Sequence, residues 1–210
     1  MEDALDTLVE CVDSNGAAVG TARKIDVHLE GVLHRAISVF VFDENGRELL
    51  QQRALNKYHA PGLWSNTVCS HPFPGESPEQ AAHRRLQEEL GMKAELCELF
   101  VMRYRADVGE GLVEHEYDHV FVARMVTPPE PNPAEVNAIR WIQKEEVVEA
   151  MRQTPAAFTP WFRLAHDEVL RCINTRDLEA AKVLLTPEGD RATFLYEQHE
   201  EMHAGQTAKA

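Results

Sequence analysis

Residues Ala36 to Phe42 read AISVFVF and are apolar on both faces of any strand they form. Such a strand belongs in the interior of a sheet, away from water on either side. Asn45-Gly46 follows at once and favours a tight hairpin turn, so Glu48 to Gln52 is predicted to return as the partner strand. Lys57 to Ser70 contains Pro, Gly, Asn and Ser and reads as a long functional loop. A helix comes next. Ser77 suits its N-cap, Pro78 its first position and Gln80 a capping box, and Gly91 stops it after Leu90. His119 to Val126 and Ile139 to Ile142 are expected strands. Lys144 to Arg152 is an expected helix, and Thr159-Pro160 opens another through about Ile173. From Arg176 onward the chain looks helical and charged. Strands and helices interleave, so the expectation is an α/β or α+β fold, with residues 1–174 as one domain and 175–210 as its helical C-terminal extension.

The 210 residues are enough for one sizeable core. No apolar run is long enough to cross a bilayer, and the N-terminus lacks the basic-then-apolar pattern of a secretory signal. Cys11, Cys69, Cys97 and Cys172 are widely spaced, which suits reduced thiols in a cytoplasmic protein. The net charge is −14. Such a chain repels nucleic acid and anionic membrane, and an anionic substrate requires a local basic cluster or a bound metal.

Four groups of residues suggest chemistry. On the helix after Ser77, Arg85, Glu88 and Glu89 share one face by their spacing. Carboxylate beside guanidinium can hold a divalent cation and a phosphate together, although the same pattern also fits a solvated, salt-bridged face. In Asn66-Thr-Val-Cys69-Ser-His71-Pro72, the cysteine and histidine could be a nucleophile with its base, a metal pair, or a loop thiol. In Glu114-His115-Glu116, a strand would turn both carboxylates to one face, where they repel unless a cation or proton lies between them, although an exposed acidic edge strand fits the pattern equally well. His28, His34 and His71 lie near predicted element boundaries, and three imidazoles with two carboxylates would suit Mn²⁺, Zn²⁺ or Mg²⁺. Lys24, Arg53, Lys57 and Arg85 could supply the positive field.

The segment SHPFPGESPEQAAHRRLQEELGM resembles the Nudix box at Glu76, Arg84, Leu86, Glu88, Glu89, Gly91 and Met92. It departs at Ser70, where the leading glycine belongs, and at Arg85, where a metal-binding glutamate belongs. Taken with LHRAISVFVFDENG, PGLWSNTVCSHP, RYRA, EHE and FTPWF, the chain from Val12 to Ala165 is similar to the type 1 isopentenyl diphosphate isomerases. That resemblance implies a Nudix-like mixed sheet sandwiched by helices. It also implies interconversion of isopentenyl and dimethylallyl diphosphate in isoprenoid biosynthesis, by protonating one alkene carbon and deprotonating another.

The resemblance assigns proton transfer to Cys69 and Glu116, assistance of Glu116 to Tyr104, and a cation–π face to Trp161. It assigns one tightly bound divalent metal to His28, His34, His71, Glu114 and Glu116, and a second, diphosphate-bound Mg²⁺ to Glu89. Diphosphate contacts fall to Lys24, Arg53, Lys57 and Arg85. The expected partner is the small-molecule substrate alone, with no nucleic acid and no membrane insertion, in a monomer or small homo-oligomer. Two other readings compete: a hydrolase of nucleoside diphosphate derivatives, which Arg85 disfavours, and a non-catalytic metal-binding or interaction protein.

Overall fold

The computed structural model describes residues 6–175 and 193–195. Strand β3 (His34–Phe42) has only Arg35 less than fully buried. Its even and odd positions serve two cores. Ile37, Val39 and Val41 join Leu49, Val68, Ala82, Leu86 and Leu90 on one face, while Phe40 and Phe42 join Phe100, Met102, Trp161, Phe162 and Val169 on the other. Helix α2 (Pro78–Leu90) covers the first core and α4 (Pro160–Thr175) the second. The rings of Phe40 and Phe162 stack at 5.9 Å across the sheet–helix seam. Full burial of a phenylalanine is worth roughly 1.5–3 kcal/mol, so each face has a strong reason to stay closed.

The other strands are β1 (Leu8–Val12), β2 (Ala18–Arg23), β4 (Arg47–Arg53), β5 (Trp64–Ser65), β6 (Val68–Ser70), β7 (Ala94–Gly109), β8 (Leu112–Met125) and β9 (Val136–Gln143); the remaining helices are α1 (Lys24–Glu30) and α3 (Lys144–Gln153). β3 runs parallel to β8, with His34 opposite Glu116, and antiparallel to β6, with Ser38 opposite Cys69. β7 and β8 form a long antiparallel hairpin that sets Tyr104 across from Glu116. β9 pairs with β4 to extend the sheet. The result is the mixed sheet between helices that the sequence implied.

Local signals were reliable. The β3–β4 turn uses Gly46 at φ +72. Both bonds of the Ser77/Gln80 capping box are present, and Gly91 ends α2 in the left-handed conformation. We expect Ser77→Ala to destabilise the protein by about 1 kcal/mol, the usual cost of a lost side-chain cap, measured by urea unfolding. No change in midpoint would contradict it.

Three expectations need correction. The loop from Lys57 to Ser70 contains the short strands β5 and β6, because Gln51–Ser65 and Ser38–Cys69 pairings recruit it into the sheet. The strand expected at His119–Val126 begins at Leu112, since pairing with β7 carries it further than its apolar run. In the extension expected to be helical, Thr193–Leu195 form β10, parallel to Val101–Arg103 of β7. The rest of 176–210 lies outside the described residues. Among the described residues no helix is long and apolar enough to cross a membrane.

Candidate active site

Strand alternation on β8 sends Glu114 and Glu116 to one side, while His115 turns away and its Nδ1 meets the Gly31 carbonyl at 2.9 Å. Three imidazoles converge on the carboxylate side. α1 carries His28, β3 begins with His34, and the residue after β6 is His71. Nδ1 of His28 lies 2.5 Å from the Lys24 carbonyl and Nδ1 of His34 lies 2.8 Å from that of Val32. A carbonyl only accepts, so each Nδ1 carries the proton and each Nε2 presents a lone pair inward. His34 Nε2 lies 3.1 Å from His71 Nε2, and His28 Nε2 lies 3.1 Å from Glu114 Oε2.

Two lone pairs facing each other do not form a hydrogen bond. His28 Nε2 and Glu114 Oε2 are both buried and without a hydrogen-bond partner. Such buried orphans are costly unless something bridges them. One donor atom from each of His28, His34, His71 and Glu114 lies within 4.8 Å of the others. Imidazole nitrogens with a carboxylate oxygen are a fitting donor set for a divalent transition metal or Mg²⁺. Glu116 stands at the edge, its Oε1 2.9 Å from His71 Nε2 and 3.8 Å from His34 Nε2. Glu89 is apart from the cluster, its carboxylate taken by Arg85 and by the Gln51 amide.

Burial keeps His34 and His71 neutral. Burial pulls His34 down to about 4 and His71 well below the usual histidine value. His59, which the sequence reading passed over, is also pulled down to about 4 by burial. Burial alone would raise Glu114, but the electrostatic pull of His59 and His28, with the His59 hydrogen bond, outweighs it and holds the carboxylate well below its usual range. The sign of the pH effect follows for His34 and His59. Their folded-state values are depressed, so from about 6.5 down to about 4 the unfolded chain binds protons that the folded form excludes. We expect each of these histidines to lower metal-free stability across that window as pH falls, by about 1.4 kcal/mol per pH unit for each fully excluded proton, while Glu116 and Asp118, raised by burial, act in the opposite sense. Metal-free His59→Gln, which removes one excluded proton, should therefore lose less stability than the parent between those limits, and an identical pH dependence of the two unfolding midpoints would contradict it.

Beside the cluster is a cavity of about 300 Å³, lined among others by Lys24, Arg53, Lys57, Cys69, Glu116 and Trp161. Cys69 and Glu116 reach it from β6 and β8, the two strands flanking β3. Burial, followed by the charges of Glu114 and Asp118, pushes Glu116 well above the usual carboxylate range. Tyr104 donates to its Oε2 at 2.6 Å. Burial raises the Tyr104 phenol well above its ordinary value, so the hydroxyl stays a neutral donor. Burial also raises the Cys69 thiol, opposed by the charge of Arg53, whose Nη1 lies 3.6 Å from Sγ. Both shifts run toward the proton-bearing form. Trp161 is fixed by its Nε1 donating to Ser65 Oγ at 3.0 Å, and its ring carries the Arg53 guanidinium at 5.3 Å.

Arg85 also lines the cavity, and its guanidinium is gripped by Glu88, Glu89 and Glu135. Lys57 pairs with the same Glu135 carboxylate. Lys24, Arg53, Lys57 and Arg85 therefore line one cavity, and an acid from outside the box holds two of them in place.

The NUDIX domain family matches residues 32–162. The isopentenyl-diphosphate Delta-isomerase of Pectobacterium atrosepticum is 46% identical over 158 residues, spanning 75% of this chain and 88% of that protein. The enzyme of the same name from Nocardia farcinica is 53% identical over 155 residues, 73% of this chain and 89% of its own. This chain belongs to the isopentenyl-diphosphate Delta-isomerase family. Its fold matches a crystal structure from Deinococcus radiodurans at a TM-score of 0.63, with 20% identity over 79% of this chain and 99% of that one. A MutT protein from Methanosarcina mazei matches at 0.54, with 17% identity over 69% and 96%. Within the isomerase family's NUDIX fold, the residues the sequence reading missed are His59, Ser65, Asp118 and Glu135. Asp118 is buried, accepts from Ser38 Oγ at 2.8 Å, and is raised to about 7 chiefly by burial. Only His59 had a signal: it sits in the Gly/Pro loop beside Lys57.

Proposed function

We propose that this chain interconverts isopentenyl and dimethylallyl diphosphate by adding a proton to one alkene carbon and removing one from another. The observation that carries this reading is that two groups able to give or take a proton, Cys69 and Glu116, line one cavity from strands on either side of β3. An alkene is a poor base, so it needs a strong acid in a dry pocket and support for the cation formed. One of Glu116 and Cys69 would give its proton to the alkene on one side, and the other, ionised, would take up the proton removed on the opposite side, with Tyr104 assisting Glu116 and the Trp161 ring facing the developing charge. Lys24, Arg53, Lys57 and Arg85 would hold the diphosphate as a handle.

His28, His34, His71 and Glu114, with Glu116 at the edge, would hold one Mn²⁺, Zn²⁺ or Mg²⁺, and Glu89 would help hold a Mg²⁺ on the diphosphate. A bound divalent ion would strengthen the neighbouring carboxylic acid. Residues 1–174 would constitute the isomerase domain with 175–210 as its extension. The free cysteines, no two of them bridged, favour a cytoplasmic monomer or small homo-oligomer, and the net charge of −14 disfavours nucleic acid as a partner.

The test is to incubate the purified protein with isopentenyl diphosphate and Mg²⁺ and follow dimethylallyl diphosphate. Product is expected, with no useful phosphate release from nucleoside diphosphate sugars. The reason is Arg85, which stands where the Nudix box places a further metal-binding glutamate and so leaves fewer carboxylates to hold a water-activating metal. Robust nucleotide hydrolysis without isomerisation would reverse the reading.

A further inference from the structure

We infer that His59 is a positioning residue for Glu114: it fixes one carboxylate oxygen so that the other is aimed at the ion. The inference rests on the reading that Glu114 holds a divalent metal. The two oxygens of Glu114 differ sharply. Oε1 lies 2.7 Å from His59 Nε2, whereas Oε2 has no hydrogen bond and faces His28 Nε2 at 3.1 Å. Because an ionised carboxylate only accepts, the proton of His59 sits on Nε2 and is donated to Oε1. A carboxylate on a strand rotates about its last bond unless one oxygen is held. With Oε1 fixed, Oε2 has a single direction.

Two of the other ligands are backed in the same way. The Lys24 carbonyl pins His28 from behind, and the Val32 carbonyl pins His34. Each leaves one lone pair pointing inward. Partners of this kind set the orientation and basicity of metal ligands, and their loss typically costs about 10–100-fold in metal affinity.

His59 is itself held firmly, which a space-filling histidine would not require. Arg53 donates from Nη2 to the His59 carbonyl and from Nε to the Ala60 carbonyl, both at 3.2 Å. Ala60 adopts φ +46, a conformation that a residue with a Cβ rarely takes. The Tyr58 ring packs against the imidazole at 4.3 Å. Since Arg53 also reaches Cys69 Sγ and covers Trp161, one short loop links the metal-facing carboxylate to the opposite wall of the cavity.

The test compares two substitutions of similar volume. His59→Gln places an amide N–H near the original Nε2, and His59→Met fills the space with no donor. Mn²⁺ affinity is measured calorimetrically on metal-stripped protein, with near-ultraviolet circular dichroism and the melting temperature of each metal-free variant alongside. His59→Met is expected to bind Mn²⁺ about 10–100-fold more weakly than the parent, with His59→Gln recovering most of the loss and both keeping the parent's metal-free spectrum. Parent-like affinity in His59→Met, or equal weakening in both variants, would overturn the inference while leaving the metal site standing. A parent protein that binds no Mn²⁺ tightly would bring down the metal site and this inference together.

Discussion

Cys69→Ala and Glu116→Gln are each expected to abolish isomerisation while leaving the fold intact. General acid–base groups contribute about 10²–10⁴-fold each, or about 2.7–5.5 kcal/mol of barrier. An alkene offers no alternative path, since water in the cavity would trap the cation and not return it to product. The substitutions are mild in packing. Glu116→Gln keeps an oxygen for the Tyr104 hydroxyl, now 2.6 Å from Oε2, and removes only the acidic proton. Cys69 is partly exposed, so truncation to alanine opens a small gap beside Ser65 and Arg53 and leaves no full cavity in either core. Near-normal kcat in either purified variant, with an unchanged melting temperature, would sink the assignment of proton transfer to these two side chains.

The second large effect is on metal retention. Protein purified without chelator is expected to carry about one tightly held divalent ion per chain, and His71→Ala is expected to lose it. His71 Nε2 lies 3.1 Å from His34 Nε2 and 2.9 Å from Glu116 Oε1, so its removal opens the centre of the donor set. The loss should also register in stability. A ligand that binds only the folded state at a thousand times its Kd adds about 4 kcal/mol, so stripping the ion should lower the melting temperature of the parent and scarcely affect His71→Ala. Elemental analysis and thermal unfolding check both halves. Full metal content in His71→Ala would refute the cluster.

Local features were legible in the sequence, and convergent ones were not. β3, the Asn45-Gly46 turn and the capped helix α2 each depend on residues a few positions apart. Ala94–Gly109 was missed because its apolar positions are interrupted by Glu95, Glu98, Arg103 and Arg105; it is a strand because β8 pairs with it. The same pairing sets Tyr104 opposite Glu116, which no spacing within RYRA could reveal. Glu114 and Glu116 were readable as a pair, since strand alternation alone puts them together. His28, His34 and His71 carried no mutual spacing signal, and their place in the site came from resemblance. His59 carried only its place in the Gly/Pro loop beside Lys57, and Glu135 no signal. Each acts on a partner fifty or more residues away in sequence, Glu114 and Arg85 respectively, and neither lies in a run with its own periodicity.

If one cavity adds a proton to an alkene at one carbon and removes a proton from another, solvent hydrogen must enter the product, and running the reaction in deuterium oxide measures that entry. Dimethylallyl diphosphate formed by the parent protein should carry deuterium at the carbon that gains the proton, with the label absent from product incubations of Glu116→Gln and Cys69→Ala. Product that forms without taking up solvent deuterium, or label that enters equally in either variant, would contradict the account.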